Sequence, residues 1–186
     1  MSIISLIVIR PRRFTMRRSL CWLLLLCIAL PWGCGEPRGN QKLAVTEADG
    51  ILIVDVGIAT FSTPEGWTPN RSDGNTVVIL TRVGANRQNP EDMISIDIGK
   101  PVSPDAQASA NGLAANFAGT VTPLSFQVDG EPAYRVSIPP DYEQLMPREC
   151  IVIHHRGQVC FLFGGSRSTA DIWAPLSAVA QSWNWK

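Results

Sequence analysis

Hydrophobic and polar residues alternate along most of the chain beyond residue 50, and the alternation divides it into short strands and two helical stretches. "ILIVDVGIATFS" predicts strands near 51–56 and 58–62 with a bend at Gly57. Asp73-Gly74 is a two-residue turn signal that leads into a strand over 76–83. In "MISIDIGK" Met93, Ser95 and Asp97 face one way and Ile94, Ile96 and Ile98 the other, the pattern of a half-buried strand. The period then changes. Ala106, Ala110, Leu113 and Phe117 recur at helical offsets, with Ser103 as the expected N-cap, Pro104 at the first helical position and Gly119 as the stop.

Two hairpins follow. The first turns at Asp129-Gly130, with Pro132 marking an edge or a bulge in the returning strand, and the second turns at Arg156-Gly157. At the end of the chain Ile172, Leu176, Val179 and Trp183 form a helical stripe, with Ser168 and Asp171 as a capping box. Pro175 is expected to split this stretch into a short first turn and a main helix from about 174 to 183. The order of elements is dominated by hairpins. It predicts an α+β fold, an antiparallel β-sheet flanked by helices as a sandwich.

The second hairpin fixes more than its turn. With Arg156 and Gly157 at the tip, His155 faces Gln158, His154 faces Val159, Ile153 faces Cys160 and Cys150 faces Phe163. One face then carries Cys150, Val152, His154, Val159, Phe161 and Phe163, and the other Ile151, Ile153, His155, Gln158, Cys160 and Leu162. Both faces are apolar away from the turn, so the hairpin is expected at the centre of the sheet. Cys150 and Cys160 fall on opposite faces and about 10 Å apart along the ladder, too far for a disulfide. They read as small apolar core residues.

The charge is unevenly distributed. Arg10, Arg12, Arg13, Arg17 and Arg18 precede the apolar run Leu20–Leu30, and all 16 acidic residues follow it. From Cys34 onward the chain is net negative by about five charges, which argues against nucleic acid as a partner. A basic segment, an apolar core of about 11 residues and small residues before a possible cut form a secretory signal, shorter than the roughly 20 residues of a membrane-spanning helix. Residues 1–33 are therefore expected to be a signal peptide, with Met16 as an alternative start. Cleavage before Cys34, with Gly33 preceding it, resembles the bacterial lipoprotein signal, in which the cysteine thiol receives a diacylglyceryl group; Pro31 stands where that signal ordinarily has an aliphatic residue. The alternative is an ordinary signal peptide with an incidental cysteine. Lipidation at Cys34 would leave residues 34–50 as a flexible tether, residues 51–186 as one α+β sandwich domain, and the domain at the membrane of a bacterial cell envelope, facing the periplasm or the exterior.

Candidate chemistry is sparse. His155 and Cys160 share a face as diagonal neighbours, an arrangement that nucleophilic catalysis could use. Against it, the two histidines are the only ones in the chain and both sit by a turn, where solvent is expected. Zinc would need further ligands at recognisable spacing, so no metal and no cofactor is expected. "GGSRSTAD" has glycines before a helix start but lacks the lysine and spacing of a P-loop. "FSTPEGW", residues 61–67, presents an aromatic residue after a rigid turn and reads either as a binding loop or as a tryptophan folded back to cap the sheet. In "SWNWK", Trp183 is expected in the core, and the role of Trp185 is open.

From about Ile51 to Trp185 the chain resembles the PsbP-like family, whose members include an extrinsic photosystem II protein and many small bacterial envelope lipoproteins. The resemblance rests on "FSTPEGW", "MISIDIG" and the helix after it, "VDGEPAYRV", "CIVIHHRGQVCFLFGG" and a last helix ending in "SW". It implies an antiparallel sheet flanked by helices and a non-enzymatic accessory or binding role through contacts with an envelope protein. The alternative reading of the residues is a small-molecule carrier or enzyme with a sheet–helix pocket near His155 and Cys160.

Overall fold

The computed structural model describes residues 43–72, 76–86, 90–139, 147–167 and 170–186. Cys34, the leader, the Asp73-Gly74 turn and Ser168 lie outside them. The described chain is an α+β structure with two antiparallel sheets and two helices. The four-stranded sheet has the order β1-β2-β3-β11, built from β1 (Ala44–Ala48), β2 (Ile51–Asp55), β3 (Ala59–Ser62) and β11 (Asn184–Trp185). The seven-stranded sheet runs β4-β5-β6-β10-β9-β8-β7. Its strands are β4 (Trp67–Arg71), β5 (Thr76–Arg82), β6 (Asp92–Gly99), β7 (Thr120–Pro123), β8 (Ala133–Ser137), β9 (Pro147–His155) and β10 (Gln158–Ser166). Helix α1 spans Ala106–Phe117 and α2 spans Trp173–Gln181.

The central hairpin has the expected register, with His155 opposite Gln158, Cys160 opposite Ile153 and Phe163 opposite Cys150. Arg156 and Gly157 both have positive φ (46° and 75°), the geometry that matches the twist of the strands it joins. Alternation then sorts the side chains into two cores. Ile94, Ile96, Ile151, Ile153, Cys160 and Leu162 on one face of the large sheet pack with Val54 and Phe61 of the small sheet and with Leu176 and Val179 of α2. On the other face Cys150, Val152, Val159 and Val136 pack with Ala110 and Ala114 of α1. Both cysteines are buried and unbonded.

Several expectations are corrected. The expected antiparallel α+β fold is present, and its strands divide between two sheets, a division that alternation could not give because it identifies a strand but not the strands it pairs with. The tether assigned to 34–50 ends earlier, since Ala44–Ala48 is strand β1, paired with β2 through a turn at Asp49 (φ 53°) and Gly50 (φ 76°). An outer strand exposed at every residue needs no alternation, so β1 carries none. Helix α1 is capped by Asp105 and not by Ser103: the extended Asp105 accepts the Ala108 N–H through Oδ1 at 2.7 Å. The helix ends at Ala118 in the left-handed region (φ 51°), and Gly119 serves by lacking a side chain, because a Cβ there would lie 2.8 Å from the Ser137 carbonyl oxygen. Helix α2 is continuous across Pro175, which lies in its first turn, where an N–H has no intrahelical acceptor. Its N-cap is Ile172, and Asp171 accepts the Trp173 N–H at 2.9 Å; Ser168 of the expected capping box lies outside the described residues.

Candidate functional site

Two depressions in the surface concern the residues singled out in the sequence. The smaller, about 210 Å³, lies beside the central hairpin and is lined by Gly57, Ile58, His155, Arg156, Gln158, Trp185 and Lys186. His155 Nδ1 is 2.8 Å from Glu131 Oε1, and its ring stacks on that of Trp185 at 4.7 Å with planes 7° apart. Trp185 is in turn held by its backbone N–H, which donates to Asp129 Oδ2 at 2.7 Å. The solvated histidine expected from its place near the turn is thus a largely covered one, with a side chain 17% exposed. His155 Nε2, Gln158 Oε1 and Trp185 Nε1 are sealed from solvent with no hydrogen-bond partner.

His154 points to the opposite face, where its Nε2 lies 2.9 Å from Ser109 Oγ of α1. Burial holds its pKa below the ordinary value, with Asp105 acting weakly in the opposite sense. The unfolded chain therefore binds a proton here more readily than the native one. Stability is full above the unfolded value of about 6.5 and falls as pH drops below it. His154→Gln, which keeps a partner for Ser109, is expected to lose less stability than the wild type between about pH 7 and pH 5, read from urea midpoints at each pH.

Cys160 does not line the pocket beside His155. It is wholly buried in the core, and burial pushes its thiol pKa well up, as it does that of Cys150. A neutral thiol out of reach of solvent is a poor nucleophile. The structure therefore does not assemble the Cys–His pair that shared sheet face suggested. Among the described residues no three His, Cys, Asp or Glu side chains group to hold a metal ion.

The larger depression is a cleft of about 670 Å³ built by "FSTPEGW". Thr63 ties this segment to β2, its N–H and Oγ1 both donating to the Leu52 carbonyl at 2.8 and 3.2 Å. A turn closed by the Trp67 N–H on the Pro64 carbonyl at 3.1 Å, with Gly66 at φ 75°, then reverses the chain. The Val83 N–H donates to the Gly66 carbonyl at 2.8 Å and brings the end of β5 to the loop. Trp67 is buried under Arg82, whose guanidinium carbon sits 4.8 Å from the centre of its ring and whose Nε reaches Asp92 Oδ2 at 3.3 Å. Ser166 Oγ donates to the other oxygen of Asp92 at 2.6 Å. The tryptophan folds back and is buried, as one reading of this loop has it, and the same turn forms a wall of the cleft.

The cleft is lined by both apolar and acidic side chains. Ile51 and Val83, 49% and 68% exposed, line it with Leu52 and Pro64, and Glu47 and Glu65 add two carboxylates. The sequence signal for it was the loop; Glu47 and Val83 carried none, because their place depends on how β1 and β5 are paired.

Fold and cleft together describe a small α+β protein with an open surface cleft. No family model matches the chain, and no curated protein matches it. Among solved structures it is similar to the cyanobacterial PsbP (CyanoP) of Synechocystis sp. PCC 6803, determined in solution, at 15% sequence identity, 84% coverage of this chain, 99% of that chain and a TM-score of 0.44.

Proposed function

We propose that this protein is a non-enzymatic binding module of the bacterial cell envelope, PsbP-like in fold and anchored by a lipid on Cys34, that contacts a partner protein through the cleft around Ile51, Pro64 and Val83. The observation that carries the reading is the cleft itself. Ile51 at the start of β2 and Val83 just after β5 are large, exposed apolar side chains that line it beside a loop pinned by hydrogen bonds, a surface suited to contact. The anchor is supported by the basic and apolar leader ending at Gly33-Cys34.

In a strain lacking the protein, Val83→Glu is expected to fail to complement, because it sets a charge at an exposed apolar position without touching the core. His155→Ala and Cys160→Ala, provided they fold, are expected to complement. Complementation by Val83→Glu, or its loss in a folded His155→Ala, would overturn the reading. For the anchor, a fatty-acid analogue is expected to label the wild type and not Cys34→Ala. Equal label in both removes it.

A further inference from the structure

The outer strands of the two sheets differ in how they are protected. In the seven-stranded sheet β4 carries Pro69 and β7 carries Pro123, and in the four-stranded sheet β11 is two residues long. These are the ordinary means by which a sheet edge is closed to further pairing. Strand β1 has none of them. It is five residues of Ala-Val-Thr-Glu-Ala, exposed throughout, with no proline and no lysine, and no described strand pairs with its outer edge. Alternate backbone N–H and C=O groups there stand ready for another strand.

The side chains of β1 define what that strand must carry. Val45 lies opposite Val54 and Glu47 opposite Leu52, so both are on the face of the small sheet that turns toward the first core. Glu47 and Leu52 also line the cleft, with Glu65 as a second carboxylate. A strand added to β1 would place one side chain beside Val45 and the next on the same face beside Glu47. Complementarity calls for an apolar residue at the first and a basic one at the second.

We propose that the outer edge of β1 receives an extended segment of a partner protein, alternating apolar and basic on its inward face, as an additional strand. This rests on the reading of the protein as a binding module and names the chemistry of its partner. A second copy of the chain fits less well. Antiparallel self-pairing about Thr46 would set each Glu47 beside a Val45, covering two carboxylates with no cation between them.

The probes are short fluorescent peptides in which every second residue is threonine and the remainder alternate valine with lysine, or valine with glutamate, titrated into the full chain in detergent. The lysine peptide is expected to saturate and to bind about three- to tenfold more tightly than the glutamate peptide, as one exposed cross-strand charge pair allows. Glu47→Lys should reverse the preference. Methylating the alternate backbone amides that would pair with β1 should abolish binding. Absence of saturable binding, a lysine preference that survives in Glu47→Lys, or a dimer dispersed by Thr46→Pro would each overturn the proposal. If the peptides fail while Val83→Glu still abolishes complementation, the added strand is wrong and the binding module stands. If Val83→Glu complements, the binding module itself is wrong.

Discussion

Replacing Trp183 by alanine is expected to destabilise the protein by about 3–5 kcal/mol, the range for truncating a buried aromatic side chain. Trp183 is buried immediately after α2 and stacks on Phe61 at 5.3 Å with planes 3° apart. It also meets Trp185 edge-on at 5.2 Å, and Trp185 stacks on His155. This row of rings runs from β3 in the small sheet to β9 in the large one, so truncation opens a cavity where the two sheets share a core and removes two ring contacts of about 0.5–1.5 kcal/mol each. Trp183→Phe should cost less than half as much. It keeps an aromatic ring and removes the indole Nε1–H, which is buried without a partner. Urea unfolding of the three proteins checks the ranking. Equal losses for alanine and phenylalanine would show that the indole N–H is satisfied in solution.

The second large effect is expected at Gly164, in β10. A Cβ there would stand 2.9 Å from Ile172 Cγ1 and 3.3 Å from Leu176 Cδ2, because α2 packs directly on the backbone of this central strand. Gly164→Val is expected to cost about 3 kcal/mol, the upper end for overpacking. Part of the loss should be recovered by Ile172→Ala in the same chain, since the second substitution frees the space that the first one fills. Additive losses in the double variant would place the strain elsewhere. The glycine also sits beside an irregularity in the pairing, where β9 carries the extra residue Arg148 between the partners of Gly164 and Gly165.

Alternation and turn chemistry made the central hairpin legible to the residue. Arg156-Gly157 fixed its register, and register alone divided Cys150 from Cys160 and His154 from His155. The same logic located the strand over Asp92–Gly99 and the Asp129-Gly130 turn. It missed β1, β4 and β11 because none of them carries an apolar alternation: β1 is exposed at every residue, β4 reads Trp-Thr-Pro-Asn-Arg with a proline at its middle, and β11 is two residues long. Asp49-Gly50 was a turn signal of the same kind as Asp129-Gly130, but Leu43-Ala44-Val45-Thr46-Glu47-Ala48 before it carries no apolar alternation to suggest a strand. The histidines were misplaced because closeness to a turn says nothing of what packs over it. Trp185, Glu131 and α1 reach them from distant parts of the chain. The cleft was half legible, through the rigid turn of "FSTPEGW"; Glu47 and Val83, which also line it, come together only when the sheets form.

If the protein works as a binding module, the cleft is the surface by which it does so. A photo-crosslinking side chain placed at Val83, which lines the cleft, and separately at Val102, which is fully exposed and lies outside it, reads this out in intact cells. A discrete crosslinked species is expected from position 83, lost on adding Ile51→Glu, and none from position 102. The same species from both positions, or none from position 83, would contradict the binding role of the cleft.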